Sequence, residues 1–215
     1  MKKLLKHLLS VIIAIFACGL VADGQEQTAK STEAQIPLIQ MANVPLSAAI
    51  ENLALQAEIN STIDPKITDK VWTPVTLRWE NVTASEALAR LLKERGLFRV
   101  ENPQTGVIKI TTTNSPPRTF DKELFSSLKE VIPMIRMMDV PLNMAFKDLG
   151  TKANLKLELD TELSDPSKPF KEQTSVSVKF RNLTAGQALA AICDQYDLQI
   201  AKSENAGVWR VSREK

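Results

Sequence analysis

Histidine is all but missing from this 215-residue chain, whose single copy, His7, sits in an apolar N-terminal segment. The remainder therefore has no imidazole for a nucleophile–base triad, a proton shuttle or a usual zinc site. Cysteine is nearly as scarce. Cys18 shares that segment with His7, so Cys193 stands alone in the body of the chain. No intramolecular disulfide can form there, and packing has to hold the fold. Only seven glycines occur, with no phosphate-cradling glycine loop among them. Aromatic residues make up 5% of the chain, too few for a base-stacking platform. An excess of one charge is missing as well: Lys and Arg number 27 against 25 Asp and Glu, and residues 1–24 hold three Lys and one Asp, which leaves 24 of each sign. Nucleic acid is excluded as a partner on that balance, since phosphate neutralisation needs clustered cations and here the signs alternate. No cofactor is expected.

A second long apolar run is absent too. Lys2, Lys3 and Lys6 precede an apolar stretch from Leu8 to about Val21, followed by small residues and then polar ones. That is the layout of a secretory signal peptide over residues 1–24, cut after Ala22 or Gly24. Nothing later approaches the roughly 20 apolar residues of a membrane span, so none is expected in the mature chain. The expected location is the periplasm. The alternative is a lipoprotein anchored in the outer membrane through Cys18, since Ile15-Phe16-Ala17-Cys18 loosely resembles a lipidation box.

What is present is a repeat. The stretch from Ile36, IPLIQMANVPLSAAIENLALQAEI, matches the stretch from Ile132, IPMIRMMDVPLNMAFKDLGTKANL, at an offset of 132−36 = 96. Further on, VTLRWENVTASEALARLL from Val75 matches VSVKFRNLTAGQALAAIC from Val176 at 176−75 = 101, and GVIKIT from Gly106 matches GVWRVS from Gly207 at the same offset. The second copy has thus gained five residues between Asp160 and Thr174.

Within a copy, Leu46, Ala49, Ile50, Leu53, Ala54 and Ala57 recur at helical spacing, with Pro45 suited to the first turn, and Leu142, Ala145, Phe146, Leu149 and Ala153 repeat the pattern. A second helix carries Ala84, Ala87, Leu88, Leu91 and Leu92, matched by Ala185, Ala188, Leu189, Ile192 and Cys193. Alternation at Val75 to Trp79 and Val176 to Phe180 predicts half-buried strands between the helices. Shorter strand-like runs precede the first helix, follow it at Ile59 to Ile63, and close the unit at Leu97 to Glu101 and Val107 to Thr111. The expected fold is α+β, two tandem βαββαββ units with two helices each against small mixed sheets. The expected divisions are a polar disordered segment at 25–35, a first unit at 36–112, a linker with a short amphipathic helix at 113–131 and a second unit at 132–215.

Asn81-Val82-Thr83 and Asn182-Leu183-Thr184 both read as glycosylation acceptors. They also stand where Thr83 with Glu86, and Thr184 with Gln187, form a Thr-x-x-Glu/Gln capping box before an apolar helical run. The box accounts for the Glu and Gln, which a glycan would not, so the structural role is preferred. Asp64 and Asp160 recur at strand ends, where aspartate starts a turn more often than it binds a metal. Cys193 occupies the place of Leu92 on an apolar helix face and is read as core, not as a nucleophile. No catalytic or metal site is assigned.

Val44-Pro45-Leu46, Asp64-Pro65, Val75-Thr76-Leu77, Asn81-Val82-Thr83, Glu86-Ala87-Leu88, Leu91-Leu92, Gly96-Leu97 and Val107-Ile108-Lys109-Ile110 together resemble the short N-terminal domain shared by secretins and TonB-dependent signalling receptors. Both copies carry the pattern, although the second has Asp197 in place of Gly96. Proteins of those types continue into a pore or a barrel; with the sequence ending at Lys215, neither is expected here. The resemblance implies a non-catalytic periplasmic interaction module, an adaptor or accessory subunit whose partner is an envelope protein such as a secretin or outer-membrane complex. It leaves the oligomeric state open. The alternative is a binding module for a small ligand or cell-wall fragment. Candidate partner contacts are Trp72 and Phe170, in corresponding loops between the second and third strands, and Phe120 and Phe125, in the helix expected from Phe120 to Leu128. Packing of that helix on the second unit is favoured over docking.

Overall fold

The computed structural model describes residues 33–126, 130–164, 174–204 and 207–213. The leader with Cys18, residues 25–32, Leu128 and Phe170 lie outside the described residues.

The first unit runs β1 (Ile36–Pro45), α1 (Leu46–Gln56), β2 (Ser61–Ile63), a 3-10 turn (Pro65–Ile67) leading into α2 (Thr68–Val71), β3 (Pro74–Val82), α3 (Ala84–Glu94), β4 (Phe98–Asn102) and β5 (Val107–Thr111). After the short α4 (Glu123–Ser126), the second runs β6 (Val131–Pro141), α5 (Leu142–Lys152), β7 (Lys156–Leu159), α6 (Thr161–Ser164), β8 (Ser175–Thr184), α7 (Ala185–Gln195), β9 (Leu198–Lys202) and β10 (Val208–Arg213). Each is a βαββαββ unit with two separate sheets. One pairs the first and third strands antiparallel, β1 with β3 and β6 with β8. The other has the order β2-β5-β4 or β7-β10-β9, parallel on one side of its central strand and antiparallel on the other. The architecture is two-domain α+β with mixed sheets, and no sheet closes into a barrel among the described residues.

The apolar positions at helical spacing make the cores. Leu46, Ala49, Ile50 and Leu53 of α1 meet Ala87, Leu88, Leu91 and Leu92 of α3 in one core, and Phe146, Leu149, Leu189 and Ile192 anchor the other. Cys193 is fully buried in the second core. Pro45 and Pro141 stand one place earlier than expected, at the N-cap with extended backbone (φ −53 and −54), where the missing N–H costs nothing. At α3, Thr83 Oγ1 accepts from the Glu86 N–H at 3.2 Å while Glu86 Oε2 accepts from the Thr83 N–H at 3.0 Å. Thr184 and Gln187 repeat both bonds at 3.2 and 3.0 Å before α7.

Left-handed backbone recurs in register between the units. Asn43 and Asp139 (φ 54 and 52) sit where the first strand of each unit shifts register, and their N–H groups donate to Thr76 Oγ1 and Ser177 Oγ at 3.1 and 3.0 Å. Asn81 and Asn182 (φ 55 and 53) precede the two capped helices, the conformation asparagine tolerates best after glycine. Backbone geometry thus accounts for the asparagine of each triplet, and the capping box accounts for its threonine. Gly96 and Asp197 (φ 63 and 54) end α3 and α7 in the same way.

The segment between the units is strapped down. Asn102 Nδ2 donates to the Arg118 carbonyl at 2.9 Å, and the Gln104 side chain pairs with both backbone groups of Phe120, at 2.8 and 2.7 Å. Phe120 and Leu124 enter the second core, and Phe125 packs half-buried against it. At Gly186 a Cβ would lie 2.6 Å from the Leu124 carbonyl oxygen, so only glycine lets α4 approach α7 this closely. The first unit has Ser85 at the matching place, and its N–H donates to Glu33 Oε1 at 3.1 Å. Glu33, within the segment expected to be disordered, is therefore tied to the first unit.

Candidate functional site

The two units dock through α7. Helix α3 buries one stripe and exposes Arg90, Lys93 and Glu94; α7 has Ala191, Asp194 and Gln195 at those places and buries all three. A helix apolar or buried all round lies between two layers. Here the second layer is the β2-β5 sheet of the first unit. Gln195 Nε2 donates to the Ile63 carbonyl at 3.1 Å, and Lys109 Nζ donates to the Asp194 carbonyl at 2.6 Å, a cation on the C-terminal end of α7. Asn60 pairs with both backbone groups of Arg181 in β8, at 2.8 and 2.9 Å.

On one side of this junction is a charged latch. Asp197 accepts from Lys66 at 2.5 Å and Lys109 at 3.0 Å, with Arg118 3.7 Å away. Partial burial works against ionisation of Asp197, but hydrogen bonds from Lys66 and Lys109 outweigh it and hold its carboxyl below the usual value. Burial pushes the neighbouring Asp194 carboxyl the other way, above its usual value. Asp64 starts a turn, accepting from the Lys66 N–H at 2.9 Å, and also accepts from Thr111 Oγ1 at 3.1 Å. Asp160 pairs with Arg210 at 2.6 Å. The latch lines a cleft of about 960 Å³. Its acids and bases are joined to one another, an arrangement suited to holding the units together.

On the other side is a smaller cleft of about 390 Å³. Helix α1 and strand β2 form one wall and strand β8 the other, with Trp72 and Met138 on the rim. Ile50, Ala54, Leu55 and Val178 make it apolar inside. The indole of Trp72 is 66% exposed and Met138 63%, so Trp72 is no lid over the first core. It follows α2, a short helix where the sequence suggested plain loop.

Of the candidate contacts, then, Trp72 faces this cleft between the units, Phe120 is buried at 8% exposure, and Phe125 is half-buried beside it. Both phenylalanines pack on the second core. Sequence reasoning missed Met138, Arg181 and Gln195, which join the cleft from the second unit; the change from Glu94 to Gln195 was the available signal. Burial raises the Cys193 thiol pKa far beyond its usual value, which suits packing and not nucleophilic attack. Among the described residues no group of three or more His, Cys, Asp or Glu gathers as a metal site, and no helix is long and apolar enough to cross a membrane. No protein-family model matches the chain, and no curated protein matches its sequence.

Proposed function

We propose that this chain is an exported, non-catalytic interaction module of the periplasm, built from two units of the secretin N-terminal type and serving as an adaptor or accessory subunit of a secretion, pilus or outer-membrane assembly. One observation carries the reading: the exposed indole of Trp72 beside the exposed Met138, on the rim of an apolar cleft that exists only because the two units dock. Large exposed aromatics beside a desolvated pocket are where association free energy concentrates. The leader-like N-terminus supports export. Lipid anchoring through Cys18 is the alternative localisation.

The test is capture of an envelope protein by the immobilised chain. Trp72→Ala should weaken capture at least tenfold while lowering stability by no more than about 0.5 kcal/mol, as for an exposed site. Unchanged capture sinks the reading. The size of the cleft, within the range of small-ligand sites, favours one second reading, a binding module for a small ligand or cell-wall fragment. A small molecule that raises the melting temperature in the absence of any captured protein would move the assignment there.

A further inference from the structure

The groove between the first helix and the second strand occurs in both units. In the first unit it is the small cleft, with α1 and β2 on one side and β8 of the second unit as its far wall. Its counterpart is a groove of about 520 Å³ between α5 and β7. Apart from Met144, every residue lining that groove stands at the repeat's offset of 96 from one that lines the small cleft: Phe146 from Ile50, Gly150 from Ala54, Leu157 from Ser61 and Leu159 from Ile63 among them. Here, though, α5, β7 and the turn joining them supply all the lining, and no strand forms a far wall among the described residues. The strand side is also more apolar. Leu155, Leu157 and Leu159 lie half-buried where the first unit has Ile59, Ser61 and Ile63, and Met144 beside them is 59% exposed. The charge is reversed as well. Glu51, Glu58 and Asn60 line the small cleft, with Lys179 and Arg181 on the wall that β8 makes; the matching places in the second unit hold Lys147, Asn154 and Lys156. Lys147 lines the open groove, and Lys156 lines a recess that shares Gly150, Thr151 and Leu155 with it. Both lysines are exposed, and neither joins an ion pair among the described residues.

We propose that the groove between α5 and β7 docks an acidic strand of the partner protein, which supplies the far wall that β8 supplies in the first unit. Alternate residues of a strand share a face. Lys179 and Arg181 bring two cations to the small cleft in this way, and a partner strand with two carboxylates at the same spacing meets Lys147 and Lys156. The same docking removes Met144 and the leucines of β7 from water. A second copy of this chain presents no such strand. At the places of Lys179 and Arg181 its β3 has Arg78 paired with Glu80, and the adjoining α3 exposes Arg90 and Lys93. A fatty acid would bring one carboxylate to two lysines. The inference rests on the interaction-module reading and adds a second contact for the partner, away from Trp72.

The probe copies residues 177–181 of β8 with the two cations exchanged for acids, N-acetyl-Ser-Val-Glu-Phe-Glu amide, titrated to millimolar concentration into isotope-labelled protein and followed by NMR. It should shift the resonances of Met144, Leu155 and Leu157, and bind less as salt is raised. The parent sequence, N-acetyl-Ser-Val-Lys-Phe-Arg amide, should bind about tenfold more weakly, because like charges then meet at both lysines. Lys147→Glu combined with Lys156→Glu should reverse that preference at an unchanged melting temperature, as for exposed residues. Lys147→Gln with Lys156→Gln should abolish it; lysines with a merely structural role would leave the preference as it was. Absence of binding, equal binding of the two peptides, an unreversed preference in the folded Glu variant, tighter binding of decanoate, or a dimer of the parent chain in sedimentation that the Glu changes dissolve each overturns the proposal. If the peptides fail while Trp72-dependent capture persists, the adaptor reading stands and this inference alone falls.

Discussion

Replacing Ala191 by arginine would give α7 the residue that α3 carries at the matching place, Arg90, which is exposed. Ala191 is 2% exposed and lies three and four residues before Asp194 and Gln195, on the helix face that bonds the first unit. A guanidinium there would be buried with no carboxylate assigned to it, and the C-terminal end of α7 already has its cation in Lys109. An uncompensated buried charge costs about 3–5 kcal/mol. The chain can escape that cost by undocking. The Asn60 pair, the Gln195 bond and the Lys109 bond, at about 0.5–1.5 kcal/mol each, would be lost, together with the apolar contact around α7. The expected loss is therefore about 3–5 kcal/mol or the docking free energy, whichever is smaller. For a chain of this size about 1 kcal/mol moves the melting temperature by roughly 2–4 °C. Calorimetry should resolve two transitions where the parent has one, and X-ray scattering should report a larger radius of gyration. The reverse change, Arg90→Ala, should shift the melting temperature hardly at all. A single transition at the parental temperature in Ala191→Arg would refute the claim that α7 is the docking helix.

Three further outcomes are expected. Thr83→Ala and Thr184→Ala should each cost about 1 kcal/mol by chemical denaturation, as for a lost N-cap; Asn81→Gly, which removes the triplet but keeps the left-handed backbone, should cost less and leave gel migration unchanged in the native host. Asp197 has a folded-state pKa below its unfolded value, so its contribution to stability is present above the unfolded pKa near ~3.9 and is lost as pH falls through the folded pKa. Melting temperature followed downward from pH 5 should fall less steeply in Asp197→Asn; an unchanged slope would remove the latch from the account, because Asp194, raised by burial, acts with the opposite sign. Cys193, buried and with its thiolate disfavoured, should resist iodoacetamide in the folded protein and react once denatured; rapid labelling of the native state would contradict its place in the core.

The unit itself was legible because its signals are local. Helical spacing at Leu46 to Ala54, alternation at Val75 to Trp79 and the Thr83–Glu86 box each depend on residues a few places apart, and the repeat doubled every one of them. The docking was not read, since it rests on differences between copies where the comparison sought likeness: Ala191, Asp194 and Gln195 against Arg90, Lys93 and Glu94. The left-handed positions were half legible. Asp197 could be matched to Gly96 from type alone, whereas Glu58 (φ 56), opposite Asn154 (φ 48), carries no signal of its own. The cleft could not be seen at all from one copy, because Trp72 comes from the first unit and Met138, Arg181 and Gln195 from the second.

Photo-crosslinking from position 72 in the living host tests the central claim most directly. With benzoylphenylalanine in place of Trp72, irradiation should give one discrete adduct with an envelope protein, and the same residue placed at the exposed Lys93, on α3, should give none. Adducts of equal yield at both positions, or none at position 72 in a folded and exported protein, would contradict an interaction site at the cleft.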